Sequence, residues 1–133
     1  MFALPSTQRK IDELEARLAL YEKAFEDAKV VSARAAAGDL EARIIEADGY
    51  GELGEVPLSI NRLLDIVDAF VRESGASLKC ASEGKFYRSF LLRGMPGQFR
   101  LGAEVINTAR RSMEKRTIEA AAAEKATREA EEK

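Results

Sequence analysis

Apolar residues recur in steps of three and four along three long stretches of the chain, which is the spacing of one helix face. The first stretch predicts a helix that follows a frayed end at residues 1–5, is capped by Ser6 or Thr7 and ends near Ala37. Its seam consists of Ile11, Leu14, Leu18, Tyr21, Phe25, Ala28, Ser32 and Ala35. A heptad seam this narrow cannot be buried within one helix, so it requires a partner helix from this chain or from a second copy.

Two more stretches predict helices of similar length. The second helix opens at Leu53 to Val56 and continues to about Ser82, with Pro57 tolerated in its first turn. Its seam consists of Ile60, Leu64, Val67, Val71, Ser74, Leu78 and Ala81. Gly75 interrupts this helix, and we expect it to mark a close helix contact. The third helix runs from about Gln98 to the end of the chain through Val105, Ile106, Ala109 and Met113. The pattern therefore predicts an all-α fold.

The two connectors between these helices match each other at a constant offset of 46 residues. The matched pairs are Gly38 and Gly84, Leu40 and Phe86, Ile44 and Phe90, Gly51 and Gly97, Leu53 and Phe99, Ile60 and Ile106, and Asn61 and Asn107. Gly falls on Gly, Asn on Asn, and apolar residue on apolar residue, which indicates an internal repeat.

Each connector is expected to run extended beside the helices. Leu40 and Ile44 are the predicted buried anchors of the first connector, and Phe86 and Phe90 those of the second, whereas Tyr50 is expected to be solvated. Extended segments of this length can return the chain to the end at which the preceding helix began, because each residue spans about 3.3 Å. Successive helices are therefore predicted to run parallel.

The composition excludes several classes of function. The chain has 133 residues, a net charge of −2, one Cys and no His, so an internal disulfide and the commonest metal ligand are excluded. The charge favours neither nucleic acid nor a membrane surface, and no apolar run approaches the ~20 residues that span a bilayer. We therefore expect a soluble cytoplasmic protein. The connectors differ in sign: residues 38–57 carry six acidic residues against Arg43, and residues 85–116 carry eight basic residues against two acidic ones.

No residue set forms a convincing catalytic centre, so we expect no enzymatic activity and no bound cofactor or metal. Cys80 could ligate haem or act in redox chemistry, but without a second ligand it is better explained as a packed helical residue. The carboxylate pairs Glu52 with Glu55 and Asp65 with Asp68 are explained equally well as solvated helix faces. The basic and aromatic residues of the second connector, Tyr87, Arg88, Arg93 and Arg100, could bind an anion, although a charged surface is the simpler interpretation.

The stretch GDLEARI, a short connector and then GELGEVPLSINRLLD resembles a HAMP domain, the relay module of bacterial receptors. The residues that match the family pattern are Gly38, Asp39, Leu40, Ile44, Glu52, Leu53, Gly54 and Asn61. The second copy keeps Gly84, Phe86, Phe90, Gly97, Phe99 and Asn107, but has Gln98 and Arg100 where the family has an acidic residue and Gly. The stretch that continues into GKFYRSFLLRGMPGQF is similar to the front part of cytoplasmic methyl-accepting chemotaxis receptors.

The resemblance implies two concatenated HAMP-like parallel four-helix bundles, formed by a homodimer and preceded by an N-terminal coiled-coil helix. The implied segments are a lead-in at 1–19, unit 1 at 20–70, unit 2 at 66–116 with a shared helix at 58–82, and a helical extension at 117–133 toward a downstream signalling domain. The expected bundle core is Leu18, Tyr21, Phe25, Ile60, Leu64, Val67, Val71, Leu78, Ile106 and Met113.

The implied function is a signal relay that transmits conformational change to a domain controlling a histidine kinase and its adaptor. A first alternative is a ligand-sensing bundle that holds haem or a small apolar molecule among Phe70, Phe86 and Phe90. A second alternative is a structural coiled-coil spacer, although a simple rod would not need two matched connectors interrupted by Gly.

Overall fold

The computed structural model describes residues 4–132, apart from the side chain of Ala47. Over this range the chain is all-α, as predicted, and contains no strand. Helix α1 spans Pro5–Ala36, α2 spans Glu55–Ser82 and α3 spans Gly97–Glu131. A short 3-10 helix, Ala47–Leu53, lies in the first connector, where we expected no helical turns.

Helix α1 begins earlier than its polar residues suggest. Leu4 occupies the N-cap position without a side-chain hydrogen bond, and Pro5 lies in the first turn. The prediction that Ser6 or Thr7 caps this helix is therefore wrong. Pro suits this position because its ring holds φ at a helical value and the first turn needs no backbone N–H donor there. Residues 1–3 of the predicted frayed end lie outside the described residues.

The chain divides into two compact units, Met1–Asp68 and Ala69–Lys133, and α2 runs from the first into the second. The finer predicted segments (1–19, 20–70, 66–116 and 117–133) stay predictions. The core of unit 1 joins α1, the first connector and α2, through Ala24, Val31, Ala42, Ile44, Tyr50 and Leu64. In unit 2 the buried side chains are Ser77, Ala81, Phe90, Met95, Ala103 and Asn107.

Much of the apolar seam of α1 faces solvent in the single chain. Leu18, Tyr21 and Phe25 are exposed, as are Val71 and Leu78 on α2. Among the other expected core residues, Leu64 is buried, while Ile60, Val67, Ile106 and Met113 are half-buried. The single chain thus covers the connector side of these helices and leaves apolar stripes exposed on α1 and α2.

Candidate functional site

Both helices that precede a connector end in the same hydrogen-bonded cap. The N–H of Gly38 donates to the carbonyl of Ala35 at 2.9 Å, and the N–H of Asp39 donates to that of Arg34 at 2.9 Å. This pair of bonds defines a Schellman motif, whose turn residue lies in the left-handed region that favours Gly. Gly38 accordingly has φ 102°.

The same cap recurs 46 residues later. The N–H of Gly84 donates to the carbonyl of Ala81 at 3.1 Å, and the N–H of Lys85 donates to that of Cys80 at 2.8 Å. Gly84 has φ 78°. The second matched Gly pair also has positive φ, 55° at Gly51 and 52° at Gly97. The Gly repeat in the sequence therefore reflects a repeated backbone conformation.

Each connector is held to the following helix by one asparagine. The carboxamide of Asn61 accepts a hydrogen bond from the N–H of Ile44 at 2.8 Å and donates one to the carbonyl of Ile44 at 2.9 Å. Asn107 bonds Phe90 in the same way, at 2.7 and 3.0 Å. Because a carboxamide carries both a donor and an acceptor, it satisfies both backbone groups of an extended residue without a neighbouring strand. We call these two arrangements the asparagine clamps.

The clamped residue is in both cases the deeper of the two predicted anchors. Ile44 and Phe90 are buried, with 5% and 2% of their surfaces exposed, whereas Leu40 and Phe86 are half-buried. Leu53, at the end of the 3-10 helix, and Phe99, in the first turn of α3, are half-buried as well. Each clamp therefore fixes the backbone at the residue whose side chain enters the core.

An arginine bonds the same connector carbonyl in both units but comes from different positions. Arg43 of the first connector donates through Nη1 to the carbonyl of Leu40 at 2.6 Å. The matched carbonyl, that of Phe86, accepts from Nη1 of Arg110 on α3 at 2.5 Å. Arg110 occupies the position that matches buried Leu64. Sequence reasoning missed this exchange, because comparing single positions reports only an unmatched Leu and Arg.

Tyr50 contradicts the expectation that it is solvated. Its side chain is fully buried, its hydroxyl donates to the carboxylate of Asp27, and the ammonium of Lys23 lies 4.9 Å from its ring centroid. The 3-10 turns, with Gly49 and Gly51 on either side of Tyr50, bring the ring onto α1. A lone aromatic residue between two Gly residues of the connector is the sequence feature that could have revealed this.

Burial, with the hydrogen bond to Asp27 as a second cause, raises the pKa of Tyr50 from 10.0 to about 12. Folding therefore favours the protonated hydroxyl, and this stabilisation is complete below pH 10 and is lost as the pH rises toward 12. We expect the stability advantage of the wild-type chain over Tyr50→Phe to shrink across that window. Urea midpoints of both chains at several pH values measure it, since all other ionisable groups are common to the two. Parallel pH profiles would show that Tyr50 does not titrate in this way.

Two acidic residues of the first connector, Asp39 and Glu52, form ion pairs at the surface. A hydrogen bond from Arg34 lowers the pKa of Asp39, and Glu52 pairs with Arg17 at 2.9 Å, which raises the pKa of Arg17. In unit 2, Arg100 lies 3.7 Å from Glu104, one turn further along α3. Exposed pairs of this kind contribute little individually, about 0–1 kcal/mol. They orient the connector ends and form no reactive centre.

The remaining candidate residues occupy ordinary structural positions. Cys80 is a half-buried free thiol, Asp65 pairs with Arg43 at 2.9 Å, and Arg88 pairs with Glu73 at 3.1 Å. Phe70 packs directly on Phe90, with ring centroids 5.5 Å apart, so these two rings contact each other. Within residues 4–132, no group of three or more His, Cys, Asp and Glu residues is placed to hold a metal ion.

No helix in the described part of the chain is both long enough and apolar enough to cross a bilayer.

Comparison with known proteins gives one partial match. Over 89 residues the chain is 44% identical to a methyl-accepting chemotaxis protein of Paramagnetospirillum magneticum, and the match covers 67% of this chain. The matched region is 20% of that protein, so the chain spans about a fifth of its relative's length. No protein-family model and no solved structure matches the chain. The identity supports a chemoreceptor-related region in this chain.

Proposed function

We propose that this chain is a signal-relay segment of a chemoreceptor, composed of two HAMP-like units that act in series. The observation that carries the proposal is the recurrence of the asparagine clamp and the Schellman cap at the same offset, with α2 running between them. The clamp of unit 1 draws on the first part of α2, and the cap of unit 2 ends the same helix. A change in the rotation or tilt of α2 therefore acts on both connectors.

We further propose that the working form is a parallel homodimer. The support is the apolar seam of α1, on which Leu18, Tyr21 and Phe25 are exposed in the single chain. A second copy placed in parallel would bring the same seam against itself and complete a four-helix bundle in each unit. In this proposal a downstream domain of the same receptor controls a histidine kinase and its adaptor in the cytoplasm.

The matched clamps favour a relay over a spacer. A rod that only separates two domains needs a continuous heptad seam and no interruptions. Here each interruption carries a Gly cap, a buried anchor and an asparagine that bonds both backbone groups of that anchor. Packed interfaces of this kind tend to switch between discrete arrangements and do not deform continuously, which suits transmission.

The proposal predicts that the size of the side chain at position 60 sets receptor output. Ile60 packs against the core of unit 1. In the full-length receptor, we expect a series from Ile60→Ala through Ile60→Val to Ile60→Phe to shift kinase activity by about 5-fold or more, the lower end of typical coupling energies. Kinase activity of the reconstituted receptor complex measures the effect, and Ser59→Ala, at an exposed neighbour, is the matched control.

A flat kinase response would refute the relay if the same variants demonstrably alter packing around position 60. In that case the spacer function replaces it. A response to Ser59→Ala as large as that to the Ile60 series would show that the effect does not pass through the core.

A further inference from the structure

The phenyl ring of Phe70 lies next to Gly102 on α3, in the direction in which any other residue would carry its Cβ atom. A Cβ atom built on Gly102 would lie 3.0 Å from Cζ and 3.2 Å from Cε2 of Phe70 on α2. Carbon atoms in ordinary contact are about 3.5–4.0 Å apart. The ring is thus seated so close to the backbone of α3 that a side chain at position 102 would require the ring to shift by a few tenths of an ångström.

Contacts with two other aromatic rings restrict the movement of the Phe70 ring away from Gly102. Its centroid lies 5.5 Å from that of Phe90, at a tilt of 46°, and 5.7 Å from that of Phe99, at 60°. Phe90 is itself buried and held by the clamp of Asn107. We call Phe70, Phe90, Phe99 and Gly102 the Phe70 cluster. It ties α2, the second connector and α3 together within unit 2.

Unit 1 is built differently at the matching positions. At the offset of 46, Ala24 of unit 1 matches Phe70 of unit 2, and Val56 matches Gly102. The larger member of the pair is therefore Val56 on α2 in unit 1, whereas in unit 2 it is Phe70. Ala24 is buried in the same core cluster as Tyr50, whose ring comes from the connector. Unit 1 therefore buries a ring from its connector, tied to Asp27 by a hydrogen bond. In unit 2 the buried connector ring, Phe90, is joined by a ring from the helix, Phe70, which is seated over a glycine.

We propose that Phe70 over Gly102 is a packing lock, which permits one arrangement of α2 against α3 in unit 2. Displacement of this ring is then the step by which unit 2 changes conformation, because the ring cannot move along α3 past residues that carry a Cβ. Only the purpose of the lock rests on the proposed relay function. The lock itself is a property of unit 2 and is tested without any receptor.

Two helical glycines of unit 2 provide a matched pair of substitutions. Within the single chain, a Cβ atom built on Gly75 of α2 has no atom of another element within 4 Å, so the expected close helix contact is not made there. Gly75→Ala should therefore lower the unfolding equilibrium constant by about 2- to 5-fold, the usual gain from replacing an unconstrained glycine. Gly102→Ala should raise it by about 5-fold or more, because the added methyl overpacks the Phe70 cluster.

A double-mutant cycle on the whole chain decides whether Phe70 is the cause. In a Phe70→Ala background the obstacle is gone, so Gly102→Ala should change sign and stabilise the chain, as Gly75→Ala does. Urea unfolding of the four chains of the cycle measures this. If Phe70→Ala does not fold, Phe70→Leu, which removes the far side of the ring, serves in its place.

The lock is refuted if Gly102→Ala has the same sign and size in both backgrounds, or if it stabilises the wild-type chain. The kinase activity of the full-length receptor distinguishes a failure of the packing lock from a failure of the relay. A sign reversal in the cycle with unchanged kinase output in a Phe70→Leu receptor would leave the lock standing and contradict the relay.

Discussion

Phe90→Ala should lower the free energy of unfolding by about 3–5 kcal/mol, the usual range for truncating a buried Phe. Phe90 lies in the second connector, is 2% exposed and contacts the ring of Phe70. Removing its ring leaves a cavity between the connector and two helices. Urea midpoints with an unchanged m value measure the loss.

Tyr87→Ala is the matched control for Phe90→Ala. Tyr87 lies three residues earlier in the same connector and is 82% exposed. Its truncation should change stability by no more than about 0.5 kcal/mol, as is typical of open surface positions. Similar losses from the two substitutions would show that the connector is not anchored through Phe90.

Asn107→Leu should destabilise unit 2 by about 2–6 kcal/mol, because it leaves two backbone groups without partners at about 1–3 kcal/mol each. Asn107 is 8% exposed, and both groups belong to buried Phe90. Leu branches at Cγ as Asn does but is larger, so the change removes both hydrogen bonds and also overpacks the buried site. Thermal or urea unfolding measures the loss.

Asn61→Leu provides the comparison within the same chain. Asn61 makes the same two bonds to Ile44 but is only half-buried, so water can replace part of what is lost. We expect a smaller destabilisation than at Asn107. A larger loss at Asn61 than at Asn107 would contradict the assignment of the deeper clamp to unit 2.

The helices and the repeat could be predicted because their determinants are local and periodic. Apolar steps of three and four define a helix face, and a Gly followed by extended residues ends it. The matched Asn pair stood out for the same reason, since both members lie at one offset from their anchors. What these asparagines bond could not be predicted, because the partners are backbone atoms 17 residues away.

Tyr50 and Gly102 could not be placed from the pattern because their roles depend on contacts between elements. Tyr50 lies in 3-10 turns, whose sequence shows no regular spacing of apolar residues. Its partners Lys23 and Asp27 lie on α1. Gly102 looks like a weak point of α3 until Phe70 is known to cover it. The sequence pattern of a segment predicts its secondary structure, whereas tertiary packing decides which aromatic ring is buried against which helix.

The inter-subunit distance in unit 2, measured while unit 1 is altered, shows whether α2 transmits a change from one unit to the other. In a Cys80→Ser background, one spin label at exposed Ser112 on α3 reports the separation of the two subunits by pulsed electron paramagnetic resonance. The account predicts a defined distance in the unaltered dimer and a shifted distribution when Ile60 is replaced by Ala. The account is contradicted if no inter-subunit distance is observed. It is equally contradicted if Ile60→Ala shifts the distribution of a label at Lys29 in unit 1 but leaves that at Ser112 unchanged.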